Sequence, residues 1–134
     1  MNEDLLDTIL EMCKNPDTDE KIKLYASQIL VHYSFDSSSM EFLIEKGIMN
    51  IFSGYDWECV KHTNCETDIK IKTNITWIFQ ALCNHKIKSK EMFQKGITRD
   101  MFLVACNADF KIIRHLVITS FAQLGRWKQE ESKL

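Results

Sequence analysis

Apolar residues recur every three or four positions along most of the chain, which is the spacing of amphipathic helices. The stretches are separated by Asn15-Pro16-Asp17 and by single glycines, and both residue types interrupt helices. The pattern predicts helices over residues 3–14, 21–34, 40–46, 48–52, 69–83, 89–95, 97–106 and 110–127. Residues 53–68 are the least regular part, where we expect a helix end and a longer loop. With 4 glycines and 1 proline in 134 residues, the chain is predicted to be one all-α domain.

Part of the sequence repeats along the chain. Residues 72–83 align with residues 114–125 at a shift of 42, and with residues 23–34 at a shift of 49. In both alignments apolar residues meet apolar residues, as Ile29 meets Ile78, and each block ends in a small residue. Because one such unit cannot bury its apolar face alone, stacking of neighbouring units is expected to form the core.

A second block repeats separately: Leu-Ile-Glu-Lys-Gly-Ile at 43–48 is similar to Met-Phe-Gln-Lys-Gly-Ile at 92–97. The unit is therefore a short helix, a glycine turn with Gly47 as a left-handed cap, a second helix and a third helix. A period near 42 built this way resembles the armadillo repeat; HEAT repeats, the neighbouring possibility, have two helices and lack the Lys-Gly-Ile turn. The resemblance implies a right-handed α-solenoid of about three armadillo-like repeats. Its units span residues 1–36, 37–86 and 87–127, with a polar tail over 128–134.

The resemblance also implies a binding groove lined by the third helices. In importin alpha this helix carries a Trp and, four residues later, an Asn that clamps the backbone of the bound peptide. Trp77 falls on the Trp position, but Ala81 stands where the Asn would be and cannot form that clamp. Trp77 could alternatively be a core aromatic, although its helical phase differs from that of the apolar stripe. The residues expected to line the concave surface are Gln28, His32, Asn74, Trp77, His115, Thr119 and Gln123.

Chemical motifs are sparse. The four histidines are dispersed and the four glycines stand singly, so neither a catalytic set nor a phosphate-binding loop is indicated. Cys59, His62 and Cys65 have three-residue spacings and could in principle ligate zinc with His85 as a fourth ligand. The spacing falls short of a tetrad of paired cysteines, so we expect no metal and no cofactor. An enzyme is therefore not predicted.

Charge and hydropathy narrow the partner class. A net charge of -2 does not attract the molecule as a whole to nucleic acid. The sequence contains no run of 18 apolar residues, so no membrane-spanning helix is predicted. An acidic start and an odd number of cysteines favour a reducing compartment, cytoplasmic or nuclear. We predict a protein–protein interaction or scaffolding module that binds a partner peptide or helix in the concave groove. The alternative is an importin-alpha-like transport adaptor that binds basic peptides.

Two further expectations concern the solenoid ends and the middle loop. The first unit lacks its short first helix and neither end has an obvious polar capping unit, so we expect self-association or partner docking through an end. Residues 54–68 exceed the needs of the repeat by about seven, so part of this segment is expected to be mobile or to contact a partner.

Overall fold

A computed structural model describes residues 3–54, 66–85, 89–107 and 111–132, and the regular elements within these ranges are all helices. This confirms the all-α prediction. The elements in chain order are α1 (Glu3–Lys14), α2 (Glu20–Ser34), α3 (Ser37–Glu45), the 3₁₀-helix η1 (Ile48–Gly54), α4 (Glu66–Cys83), α5 (Ser89–Gln94), α6 (Ile97–Asn107) and α7 (Lys111–Ser132). None of these helices combines the length and the apolar character needed to cross a membrane.

Most helix bounds lie within three residues of the predicted ones. The largest difference is at the end of α7, which continues to Ser132 and takes up most of the predicted polar tail. The second helix of the middle unit is a 3₁₀-helix over Ile48–Gly54 rather than an α-helix. Positive φ angles at Gly47 (91°) and Gly96 (79°) end α3 and α5, a conformation that glycine adopts without steric cost.

Helix α3 begins three residues earlier than the sequence pattern predicts because Asp36 caps it. Its carboxylate accepts a hydrogen bond from the backbone N–H of Ser39 at 3.2 Å. The same oxygen accepts from the hydroxyls of Ser38 at 3.0 Å and Ser39 at 2.7 Å. These bonds favour the charged carboxylate and hold the pKa of Asp36 below its usual value. The three serines, which have modest helix propensity, are thereby drawn into the first turn.

Helix α4 lies between α2 and α7 and packs against both. The other elements pack around these three helices: α1 packs against α2 and η1, and α6 packs against α7 and α5. Phe79 of α4 is fully buried at the centre of the core. Its ring makes edge-to-face contacts with Phe52 of η1 and Phe121 of α7, each with 6.2 Å between ring centroids. The central helix α4 is therefore held in place by aromatic contacts with both η1 and α7.

The apolar face of α2 is only partly buried, which differs from the sequence prediction. Ala26 and Leu30 belong to the core, but Ile22 is 47% exposed and Ile29 is 40% exposed. The two isoleucines lie on the side of α2 that faces away from α4.

Candidate partner-binding surface

The residues predicted to line a groove lie on α2, α4 and α7, and we call the side of these helices that carries them the three-helix surface. Gln28, Trp77 and Thr119 occupy the same position in the three units, because the repeat shifts of 49 and 42 residues bring them into register. Of the predicted residues, three are exposed and four are partly buried. The exposed residues are Gln28, His32 and His115, and the partly buried ones are Asn74, Trp77, Thr119 and Gln123.

An aromatic pair stands at the junction of α2 and α4. The rings of Phe35 and Trp77 meet edge to face, with 5.7 Å between centroids and 72° between planes. Phe35 is 51% exposed and Trp77 is partly buried, so the pair presents apolar area to solvent. Such a pair is held by its own packing and offers a rigid contact to a ligand. Trp77 was predicted to be either a groove residue or a core aromatic. Its side chain is partly buried, so it is neither fully exposed nor part of the buried core.

Asn74 belongs to the packing between α2 and α4. Its side-chain Nδ2 donates a hydrogen bond to the hydroxyl of Ser27 at 2.9 Å, and that hydroxyl donates in turn to the carbonyl of Leu24 at 2.8 Å. Ser27 is completely buried, so this polar contact lies inside the helix junction. The amide that the sequence assigned to partner recognition is thus engaged in fixing the spacing of two helices.

A matching contact joins α4 to α7. Gln80 Nε2 donates to Thr119 Oγ1 at 2.9 Å, and the threonine hydroxyl is within hydrogen-bonding distance of two backbone carbonyls on the preceding turn of α7. Further along α7, Gln123 Oε1 accepts from Arg126 at 3.2 Å. The indole N–H of Trp127 donates to the backbone carbonyl of Cys83 at 2.6 Å and holds the last turn of α4 against α7.

Sequence reasoning missed Phe35, Gln80 and Trp127. Phe35 lies seven residues after Gln28, so extending the predicted row by one helical step would have found it. The other two carry no such signal, because their roles depend on where the neighbouring helix lies.

Acidic side chains are scarce on the three helices. The described part of α2 has only Glu20, and α7 has no acidic residue between positions 111 and 129. On α4, Glu66 pairs with Lys70 at 3.3 Å and Asp68 pairs with the buried Lys72 at 2.9 Å. Exposed positive charge comes from Arg126 at the end of the row. The three-helix surface is therefore polar to basic rather than acidic.

Metal-ligating and nucleophilic groups are not gathered at this surface. Cys59, His62 and Cys65, the zinc candidates, lie outside the described residues, as does most of the middle loop. Across the ranges that the structure describes, no three His, Cys, Asp or Glu side chains are grouped to hold a metal ion. Burial raises the pKa of the thiols of Cys13, to about 12, and of Cys83. Both are therefore poor nucleophiles, because the thiolate is the reactive form.

Comparison with protein-family models, with curated proteins and with solved structures finds no match to this chain.

Proposed function

We propose that this chain is a right-handed armadillo-like solenoid of about three repeats that serves as a protein–protein interaction or scaffolding module. Its partner is a peptide or helix bound on the three-helix surface. The solenoid assignment is supported by the repeated glycine turns and by the order α2–α4–α7, in which the third helices of successive units are neighbours. Buried free thiols at Cys13 and Cys83 favour a reducing compartment, and we propose the cytoplasm or nucleus.

One observation carries the binding assignment. Three adjacent helices present side chains from the same repeat position, and an aromatic pair, the exposed Phe35 and the partly buried Trp77, stands where the first two helices meet. Aromatic anchors in partly desolvated positions contribute most of the binding energy in many interfaces. Exposed amide and imidazole groups at Gln28, His32 and His115 surround the pair and suit recognition of a peptide backbone or a polar helix face.

The charge of the surface favours this proposal over the adaptor alternative. A groove for basic peptides needs carboxylates along its flanks, yet the acids of α4 are already paired with lysines of the same helix. Ala81, at the position of the importin-alpha asparagine, is buried and offers no side-chain hydrogen bond. A neutral or acidic partner is therefore expected.

Selection from a displayed peptide library tests the proposal. Peptides that bind the wild-type chain are measured again against Trp77→Ala and against Phe42→Ala, which removes a partly buried aromatic ring from α3. We expect Trp77→Ala to weaken binding roughly 30-fold or more, as removal of an aromatic anchor does, and Phe42→Ala to leave it unchanged. Selected peptides that bind both variants equally would refute the surface assignment. A selection dominated by Lys-rich peptides would favour the adaptor.

A further inference from the structure

One side of α2 exposes a stripe of large apolar residues, which we call the α2 outer face: Ile22, Tyr25 and Ile29. Tyr25 is the most exposed of them, at 64%. At about 100° per residue, all three lie roughly 140–160° around the helix from Ser27, whose hydroxyl contacts α4. The stripe therefore points away from the rest of the row.

The repeat shows what this face does elsewhere in the chain. The counterparts of the α2 outer face on α4, 49 residues later, are Ile71, Asn74 and Ile78. Ile71 and Ile78 are buried, and Asn74 bonds to Ser27 on the preceding helix. The counterparts on α7, a further 42 residues on, are Ile113, Leu116 and Ser120, and all three are buried. In two units of three, then, the same face packs against the third helix of the unit before it.

The far side of α7 shows the converse, and we call it the α7 outer face: Ile118, Ala122 and Gly125. All three are exposed, Ile118 by 56%. Ile118 occupies the repeat position of Ser27 and Thr76, which are both completely buried, and Ser27 contacts the helix that follows. This face is therefore the one that the other third helices direct toward the next unit.

The two outer faces complement each other in shape, and the segment that precedes α2 is opposite in net charge to α7. The α2 outer face is bulky, whereas Ala122 and Gly125 leave room on α7, where a Cβ added at Gly125 would meet no atom within 4 Å. Residues 1–34, which include α1 and α2, contain seven acidic and three basic residues, and two of the basic ones, Lys21 and Lys23, flank Ile22. Helix α7 contains four basic residues and two acidic ones, both of which lie in its last turn, and Arg114 stands one helical turn before Ile118.

We propose that the α7 outer face of one copy packs against the α2 outer face of a second copy, so that the chain associates head to tail. The contact continues between molecules the α2–α4 and α4–α7 packing that exists within one. Because the two faces differ, the contact is heterologous and does not close after two copies, so short linear assemblies are expected. The two outer faces share no residue with those named on the three-helix surface, so the two contacts can be tested separately.

Sedimentation equilibrium with three variants tests the proposal. Ile29→Glu places a charge on the α2 outer face and Ile118→Glu on the α7 outer face. Gln94→Glu, at an exposed position of α5, is the control for an added charge. Wild type and control are expected to increase in average mass as the concentration approaches about 1 mM, where even a weak contact is populated. Each face variant should associate at least tenfold more weakly. If circular dichroism shows that the Ile29→Glu variant has lost helical structure, the Tyr25→Glu variant is used in its place.

Mixing the two face variants gives the sharper result. The Ile29→Glu copy keeps its α7 outer face and the Ile118→Glu copy keeps its α2 outer face, so an equimolar mixture should form dimers and nothing larger. Raising the salt concentration from about 0.05 to about 0.5 M shortens the Debye length roughly threefold and should weaken the wild-type association. A wild type that stays monomeric at about 1 mM overturns the proposal. So does an assembly that Ile118→Glu leaves intact, since that would indicate α2 packing against α2.

Discussion

Replacing Ile78 with alanine is expected to destabilise the folded chain by about 2 kcal/mol more than replacing Ile29 with alanine. The two isoleucines occupy the same position in successive repeats, in the interior of α4 and α2. The change in helix propensity is therefore nearly the same for both and cancels in the difference. Ile78 is completely buried, whereas Ile29 is 40% exposed, so the pair isolates the effect of a covering helix.

The magnitude follows from the carbon atoms removed from contact. Isoleucine has three more side-chain carbons than alanine, and each buried one contributes about 0.8 kcal/mol, so full burial gives about 2.4 kcal/mol. At Ile78 the cavity left behind adds to this, for a total of about 3–4 kcal/mol. At Ile29 about six-tenths of the area is buried and the site opens to solvent, so the loss is about 1.4 kcal/mol without a closed cavity.

Urea denaturation followed by circular dichroism measures both variants, and the m-values should stay equal while the midpoints differ. The protein concentration must be low, since head-to-tail association would cover Ile29 and enlarge its apparent contribution. A repeat of the measurement at tenfold higher concentration controls for this. If both variants lose the same large amount of unfolding free energy, the outer side of α2 is covered within the chain. Equal and small losses would mean that α4 is not the central helix.

Four further outcomes are expected. Trp77→Ala should weaken partner binding by roughly 2 kcal/mol or more while lowering the free energy of unfolding by only about 1 kcal/mol, and loss of the folded state would place Trp77 in the core. Gly47→Ala and Gly96→Ala should each cost about 1–2 kcal/mol in urea unfolding because of their positive φ. At Gly47 the added Cβ would lie 3.0 Å from Nδ2 of the exposed Asn50 side chain, which can move aside, so the two variants should lose similar stability, and a loss confined to one of them would contradict the shared positive φ. The thiols of Cys13 and Cys83 should resist alkylation until the chain unfolds, as mass spectrometry can measure, and rapid labelling of the folded chain would refute their burial. Their raised pKa values mean that above pH about 9 the unfolded chain binds fewer protons than the folded one, so stability falls as pH rises.

The helices were predictable because each is long enough to show its period and is bounded by an identifiable interruption. Whether a short helix is a 3₁₀-helix or an α-helix was not predictable, because the seven residues of η1 fit both a three-residue and a 3.6-residue period. The start of α3 was placed late because Ser37-Ser38-Ser39 has the composition of a turn. Only the cap formed by Asp36 explains why these serines are helical.

The row of surface residues was predictable to within about one helical step, and the use of each side chain was not. Period alone places Asn74 and Trp77 near each other on the outward side of α4. Whether such a residue faces solvent or a neighbour depends on where α2 lies, and Asn74 turns out to bond Ser27. Ile29 shows the same dependence on neighbouring helices. Its apolar character predicts that it belongs to the core, but no described helix covers it and it is 40% exposed.

The central claim, that a partner binds across α2, α4 and α7, is tested most directly by ¹⁵N-labelled NMR titration with a peptide selected against the wild-type chain. We predict that the indole N–H of Trp77 and the backbone amides of Gln28 and His115 shift together, with one saturation curve, while the amides of α1 do not move. Shifts confined to α1 and η1, or to the α7 outer face alone, would contradict the claim.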